Sequence, residues 1–196
     1  MKVPSIVEAE CLLHEAEQLN PGIWVDHCKV AGQCAKVIAM RCNDMDSDIA
    51  YVLGLLHDIG RRVGICDKKH ILSGYQFMME KGYDDCARIC LTHTFPYKNI
   101  HSCGGKNDIS EEEMAFMQEQ LNNIVYNDYD ILIQLSDVLA FSTGPCVIEK
   151  RLIEYHIRRG INDLTVEHFK ATLKAKEYFE EKIGCNIYSL FDDLIL

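Results

Sequence analysis

No uncharged apolar stretch in this 196-residue sequence approaches the roughly 18 residues that a membrane-crossing helix needs. The first residues, "MKVPSIVEAE", bring acidic side chains where the apolar part of a secretion signal would sit, so no such signal is expected. Positive charge is scarce: 20 basic residues stand against 30 acidic ones, for a net charge of −10. General nucleic-acid binding, which needs clustered cations, is therefore not expected. A few local cations or a metal could still hold a small anion. The ten cysteines include no CxxC pair of the zinc-finger type. Cys11, Cys34, Cys86 and Cys90 are read as small hydrophobes on helical faces, which implies reduced thiols and a cytoplasmic setting. Sustained two-residue alternation between hairpin turns is also missing, and "NIVY" is the most strand-like piece. There is no internal repeat and no low-complexity linker.

What is present is helical punctuation. Ser5 and Glu8 could form a capping box before a helix that ends near "LNPG". A second helix is expected over residues 22–42. A third, capped by Asp46 or Ser47, should run to Gly60. "KKHILSGYQFMMEKG" gives a fourth, stopped at Gly82, and "YDDCARICLTHTFP" a fifth, stopped by Pro96. Residues 97–109 are the best loop. Ser110 and Glu113 open a helix over 111–122, and "DYDILIQLSDVLAFSTG" is strongly apolar. Two more helices follow, at 146–159 and from a Thr165 cap to a Gly184 stop. The fold class is all-α, most simply one domain with a C-terminal helical part.

Polar residues sit on faces that should be greasy. With helical steps of three and four, His27 shares a face with Val30, Ala31, Cys34 and Ile38. His70 shares one with Gly74, Phe77 and Met78, and His93 one with Cys86, Ile89 and Cys90. Asp137 is surrounded by Ile133, Leu135, Val138, Leu139 and Ala140. His57 and Asp58 end the run "AYVLGLL". Any one histidine of this kind is more often a core imidazole bonded to a carbonyl. A core carboxylate is costlier and needs a metal or a partner such as Arg151. Four histidines and two aspartates on inward faces of five helices are explained together by a divalent transition metal. His14, His156 and His168 read as surface residues, and His101 as a loop residue with a weak claim on substrate.

The order His27, His57-Asp58, Asp137 resembles the H…HD…D signature of the HD-domain metal-dependent phosphohydrolases. "LLHDIG", "HCKVAGQCAKVIA" and "IQLSDVLA" carry the resemblance, over residues 22–160, leaving 161–196 as a C-terminal helical extension of a single HD domain spanning 1–196. The resemblance implies that His27, His57, Asp58 and Asp137 hold one metal ion, and that His70 and His93 add a second, bridged by Asp58. Iron or manganese is favoured over nickel or zinc. "LTHT" is also similar to a piece of the HD enzymes that split diadenosine tetraphosphate, though the His57–His70 spacing departs from theirs. The expected reaction is hydrolysis of a phosphate ester or anhydride of a nucleotide by hydroxide that the metal supplies. Asp58 would orient the nucleophile, and Arg61, which does not titrate, would act on charge alone. Arg61, Arg62, Thr92 and Lys98 would contact the substrate, with Thr94 a further rim candidate. Lys68 and Lys69 read better as solvated. Three rivals stay open: a di-iron oxygenase of the same superfamily, a metal- or nucleotide-binding sensor without turnover, and a plain bundle with core histidines.

Overall fold

The computed structural model describes all 196 residues and is built almost wholly of helices. In chain order these are α1 (Ile6–Leu19), α2 (Trp24–Ala39), α3 (Ser47–Leu56), α4 (Lys69–Glu80), α5 (Asp84–Thr92), α6 (Glu111–Asn123), α7 (Asp128–Val138), α8 (Ile148–Arg159) and α9 (Thr165–Ile183). Short 3₁₀ turns lie at Ile59–Val63 and Ile187–Leu190. The only extended pairing joins Ala140–Phe141 to Gly144–Pro145, with Ile195 laid beside Cys146. No helix is long and apolar enough to cross a membrane.

Four of the nine helix starts, those of α1, α3, α6 and α7, are fixed by local side-chain capping. The Asp46 carboxylate accepts from the amides of Asp48 and Ile49, and Ser110 and Glu113 cap each other's backbone. Ser5 accepts from the Glu8 amide, but Glu8 does not return the bond; it accepts from the Tyr83 hydroxyl instead. Asn127 and Asp130 form a second capping box, at the start of α7. Thr165 is the first residue of α9 and not its cap; its hydroxyl accepts from the Asn162 amide.

The main core gathers buried side chains from α1, α2, α3, α5 and α7, together with Leu152 of α8 and Ala175 and Phe179 of α9. A smaller core holds Ile71, Leu91, Phe95 and Met117, and the 97–109 loop contributes Ile100 and Cys103 to it. All ten cysteines are free. Cys34, Cys86 and Cys90 are buried as expected, whereas Cys11 is exposed because it faces outward from α1.

Two glycine contacts set the spacing of the helices that matter. A Cβ on Gly54 would come within 2.7 Å of the Gly32 Cα, so α2 and α3 touch backbone to backbone. A Cβ on Gly60 would collide with the His70 carbonyl oxygen and the Gly74 amide. The 3₁₀ turn therefore lies directly on the first turns of α4. Gly60 does not end α3 as expected: the α-helix stops at Leu56, and Gly60 sits inside the turn that follows.

Candidate metal centre

His57 caps the end of α3 with helical dihedrals (φ −57°, ψ −35°), and Asp58 leaves the helix at φ −104°, ψ 14°. On a continuous helix these neighbours would point about 100° apart. The break between α-helix and 3₁₀ turn lets both reach one space. α5 delivers His93 from its C-terminal cap, and α7 delivers Asp137 from its last turn. Three helix C-termini, of α3, α5 and α7, thus converge there, and their negative dipole ends favour a cation. α2 and α4 add His27 and His70 from near their first turns.

The side chains meet closely. His27 Nε2 lies 2.9 Å from Asp137 Oδ1, and His57 Nε2 lies 3.8 Å from the same oxygen. Asp58 Oδ1 is 3.0 Å from His70 Nε2 and 3.5 Å from His93 Nε2. The rings of His57 and His93 stand 5.0 Å apart, and those of His27 and His57 5.2 Å.

The opposite ring nitrogens decide what these contacts are. His27 Nδ1 faces the Ala140 carbonyl at 3.0 Å, His57 Nδ1 the Gly54 carbonyl at 2.6 Å and His93 Nδ1 the Cys90 carbonyl at 2.9 Å; His70 Nδ1 faces the Asp67 carbonyl. A carbonyl only accepts, so each Nδ1 carries the proton and donates. In a neutral imidazole every Nε2 is then a bare lone pair. These lone pairs point at carboxylate oxygens, which are also acceptors. His57 Nε2, His70 Nε2 and Asp58 Oδ1 are buried and have no hydrogen-bond partner. Protonating the rings would relieve the repulsion, but burial pushes both His57 and His70 down to about 4. His93 differs: burial alone would lower it, and Asp58 alongside outweighs that and raises it. Burial also opposes ionisation of Asp58, yet the Arg61 guanidinium beside it holds its carboxyl well below the usual range.

A cation among the Nε2 atoms and carboxylates satisfies all of them at once. Three overlapping triads fit: His27, His57 and Asp58; His57, His93 and Asp137; Asp58, His70 and His93. Within each, the ligand atoms lie within 4.8 Å of one another. Imidazole nitrogens with carboxylate oxygens form a donor set for a divalent transition metal, and the carbonyls behind the rings fix the tautomer.

A model of the HD domain matches residues 24–142, more than half of the sequence and all six of these side chains. The chain belongs to the HD domain family. No curated protein and no solved structure gives a match. The all-α bundle with polar groups in its core agrees with this membership. α8 and α9 lie beyond the matched residues.

Five of the six side chains, His27, Asp58, His70, His93 and Asp137, border a cavity of about 470 Å³, and His57 lies behind them. The other expected contacts divide. Arg61 lines the cavity, but its Nε is paired with Asp58 Oδ2. Thr94 also lines it. Arg62, Thr92 and Lys98 do not, and each has a local reason. The Arg62 guanidinium stacks on Phe77 at 3.9 Å, Thr92 donates to Asp130 at 2.8 Å, and Lys98 donates to the Ile124 carbonyl and covers Tyr126. Arg151 pairs with Glu154 and not with Asp137. Lys68, read as solvated, is 7% exposed and lines the cavity, whereas Lys69 is exposed. His14 and His101 are exposed, but His156 and His168, read as surface residues, are buried between α8 and α9.

Sequence reasoning weighed Arg151 only as a partner for Asp137 and missed Tyr155 and Arg158; all three line the cavity from α8. Their spacing of four and three puts them on one helical face. That was the available signal, hidden because the run "IEKRLIEYHIRR" reads as an ordinary charged surface helix.

Proposed function

We propose that this chain is a metal-dependent hydrolase of a phosphate ester or anhydride, with a nucleotide as substrate. The observation that carries the reading is the set of carbonyl-anchored imidazoles whose Nε2 atoms face Asp58 and Asp137. His27, His57, Asp58 and Asp137 would hold one ion, with His70 and His93 completing a second place around Asp58. Iron or manganese suits this nitrogen- and oxygen-rich set. A bound divalent ion supplies polarisation of a phosphoryl oxygen and acidification of water.

The remaining work falls to the chain itself. Arg61 holds Asp58 in place and keeps its carboxylate ionised, which makes it a positioning residue as much as a substrate contact. The cavity wall carries five cationic side chains against four carboxylates, although the whole chain is strongly negative. This local reversal favours an anionic small molecule. Residues 1–196 would act as one unit, because helices outside the HD match close the cavity.

The test is elemental analysis of the purified protein, followed by a nucleotide panel with added manganese, iron or nickel. Stoichiometric metal and phosphate release are expected. Metal without phosphate release from any nucleotide would overturn the hydrolase reading. Substrate-dependent oxygen uptake with an iron pair would replace it by the oxygenase chemistry that a two-ion site also suits.

A further inference from the structure

One charged group on the cavity wall has no partner. Lys68 is 7% exposed, its ammonium makes no hydrogen bond, and it is in no ion pair. The other cations there are at least partly offset. Arg61 meets Asp58, Arg159 meets Asp67, and Arg151 and Arg158 share Glu154 at 2.8 Å each. The backbone that carries Lys68 is held in place. The Asp108 carboxylate accepts from the amides of Asp67, Lys68 and Lys69, at 2.6, 2.8 and 2.9 Å, and so clamps the turn that carries it. The Arg159–Asp67 pair fastens the end of α8 beside the same turn, and the Gly105 amide donates to the Arg159 carbonyl at 3.0 Å. The Lys68 side chain is largely withdrawn from bulk water while its ammonium stays open to the cavity, so an anion that enters can meet an unpaired charge. The cavity volume of about 470 Å³ falls in the range of pockets that enclose whole small molecules, so it has room beyond one phosphoryl group.

We propose that Lys68, with Arg159 beside it, binds a second anionic group of the substrate, remote from the phosphoryl group at the metal centre. The substrate class narrows to small phosphate compounds with two anionic groups, such as a bisphosphate. This rests on the reading that the first group sits at the metal centre.

Calorimetry on the metal-loaded chain tests it with two hydrolysis-resistant probes, propylphosphonate and propane-1,3-diyl bisphosphonate. The bisphosphonate is expected to bind about tenfold or more tightly, the scale of one charge-assisted hydrogen bond. Lys68→Met, checked for fold by circular dichroism and for metal by elemental analysis, should bring it down to the affinity of propylphosphonate. Equal affinity of the two probes for the native chain would overturn the second subsite while leaving the metal centre standing. That comparison needs no variant. A bisphosphonate advantage that survives Lys68→Met would overturn the role of Lys68. Binding of neither probe would overturn both this inference and the reading of the centre beneath it.

Discussion

Asp58 and Asp130 are both buried carboxylates, and their partners separate their roles. Asp130 is fully engaged: it receives Arg88 Nε at 3.0 Å and Nη2 at 2.5 Å, Thr92 Oγ1 at 2.8 Å and the Asn127 amide at 2.8 Å. Asp58 Oδ1 has no donor. Asp130→Ala should therefore cost about 3–5 kcal/mol in denaturant unfolding, the penalty of stranding a partner such as Arg88, while the folded fraction keeps its metal. Asp58→Asn should do the reverse and lose metal by elemental analysis at nearly native size. His168 adds a pH prediction. Burial pushes it down to about 4 from the ordinary 6.5 of a free imidazole, with His156 on α8 adding to the effect and Asp137 on α7 opposing it. The unfolded chain thus takes up the proton first. Stability from this group is complete above the unfolded value and falls as pH drops from 6.5 towards 4, by up to about 3 kcal/mol. Chemical denaturation across that range should be flatter in His168→Gln.

At the scale of elements, the decisive feature is the join between α3 and the Ile59–Val63 turn. The apolar run, the Asp46 cap and the stop signals near Gly82, Pro96 and Gly184 made the helices legible. The join was not legible, because its cause lies in α4. Gly60 allows the turn to rest on the His70 carbonyl and the Gly74 amide, and that contact brings Asp58 to His70. Gly60→Ala should destabilise the fold by about 1–3 kcal/mol or more, as overpacking does, and should lower metal occupancy further than stability alone explains. Thermal melting together with metal analysis of the folded protein checks both. A variant with native metal content would mean that the turn does not set the Asp58–His70 distance. α8 teaches the same lesson in reverse: Arg158 looks solvated in sequence, and only the placement of α8 over the cavity brings it to the wall.

For the whole molecule, the proposed metal centre draws on five helices, so a bound ion should add to global stability. Treatment with a chelator is expected to lower the melting temperature by several degrees, since a chain of this length shifts about 2–4 °C per kcal/mol, and manganese or iron should restore it. An unchanged melting curve after verified metal removal would leave the imidazoles as core residues only. The sequence by itself determined the helical class, most helix ends and the six polar side chains on apolar faces. Those depend on local backbone preferences and on the cost of burying charge, which act through near neighbours along the chain. It also placed Arg62, Thr92 and Lys98 on the substrate, because closeness in sequence to the HD pair or to His93 was the only guide. The tertiary structure alone decided that these three turn to Phe77, Asp130 and Ile124, that Lys68 is buried without a partner, and that α8 and α9 complete the wall. Which side chain faces a cavity depends on how distant helices pack, and here backbone contacts at Gly54 and Gly60 fix that packing.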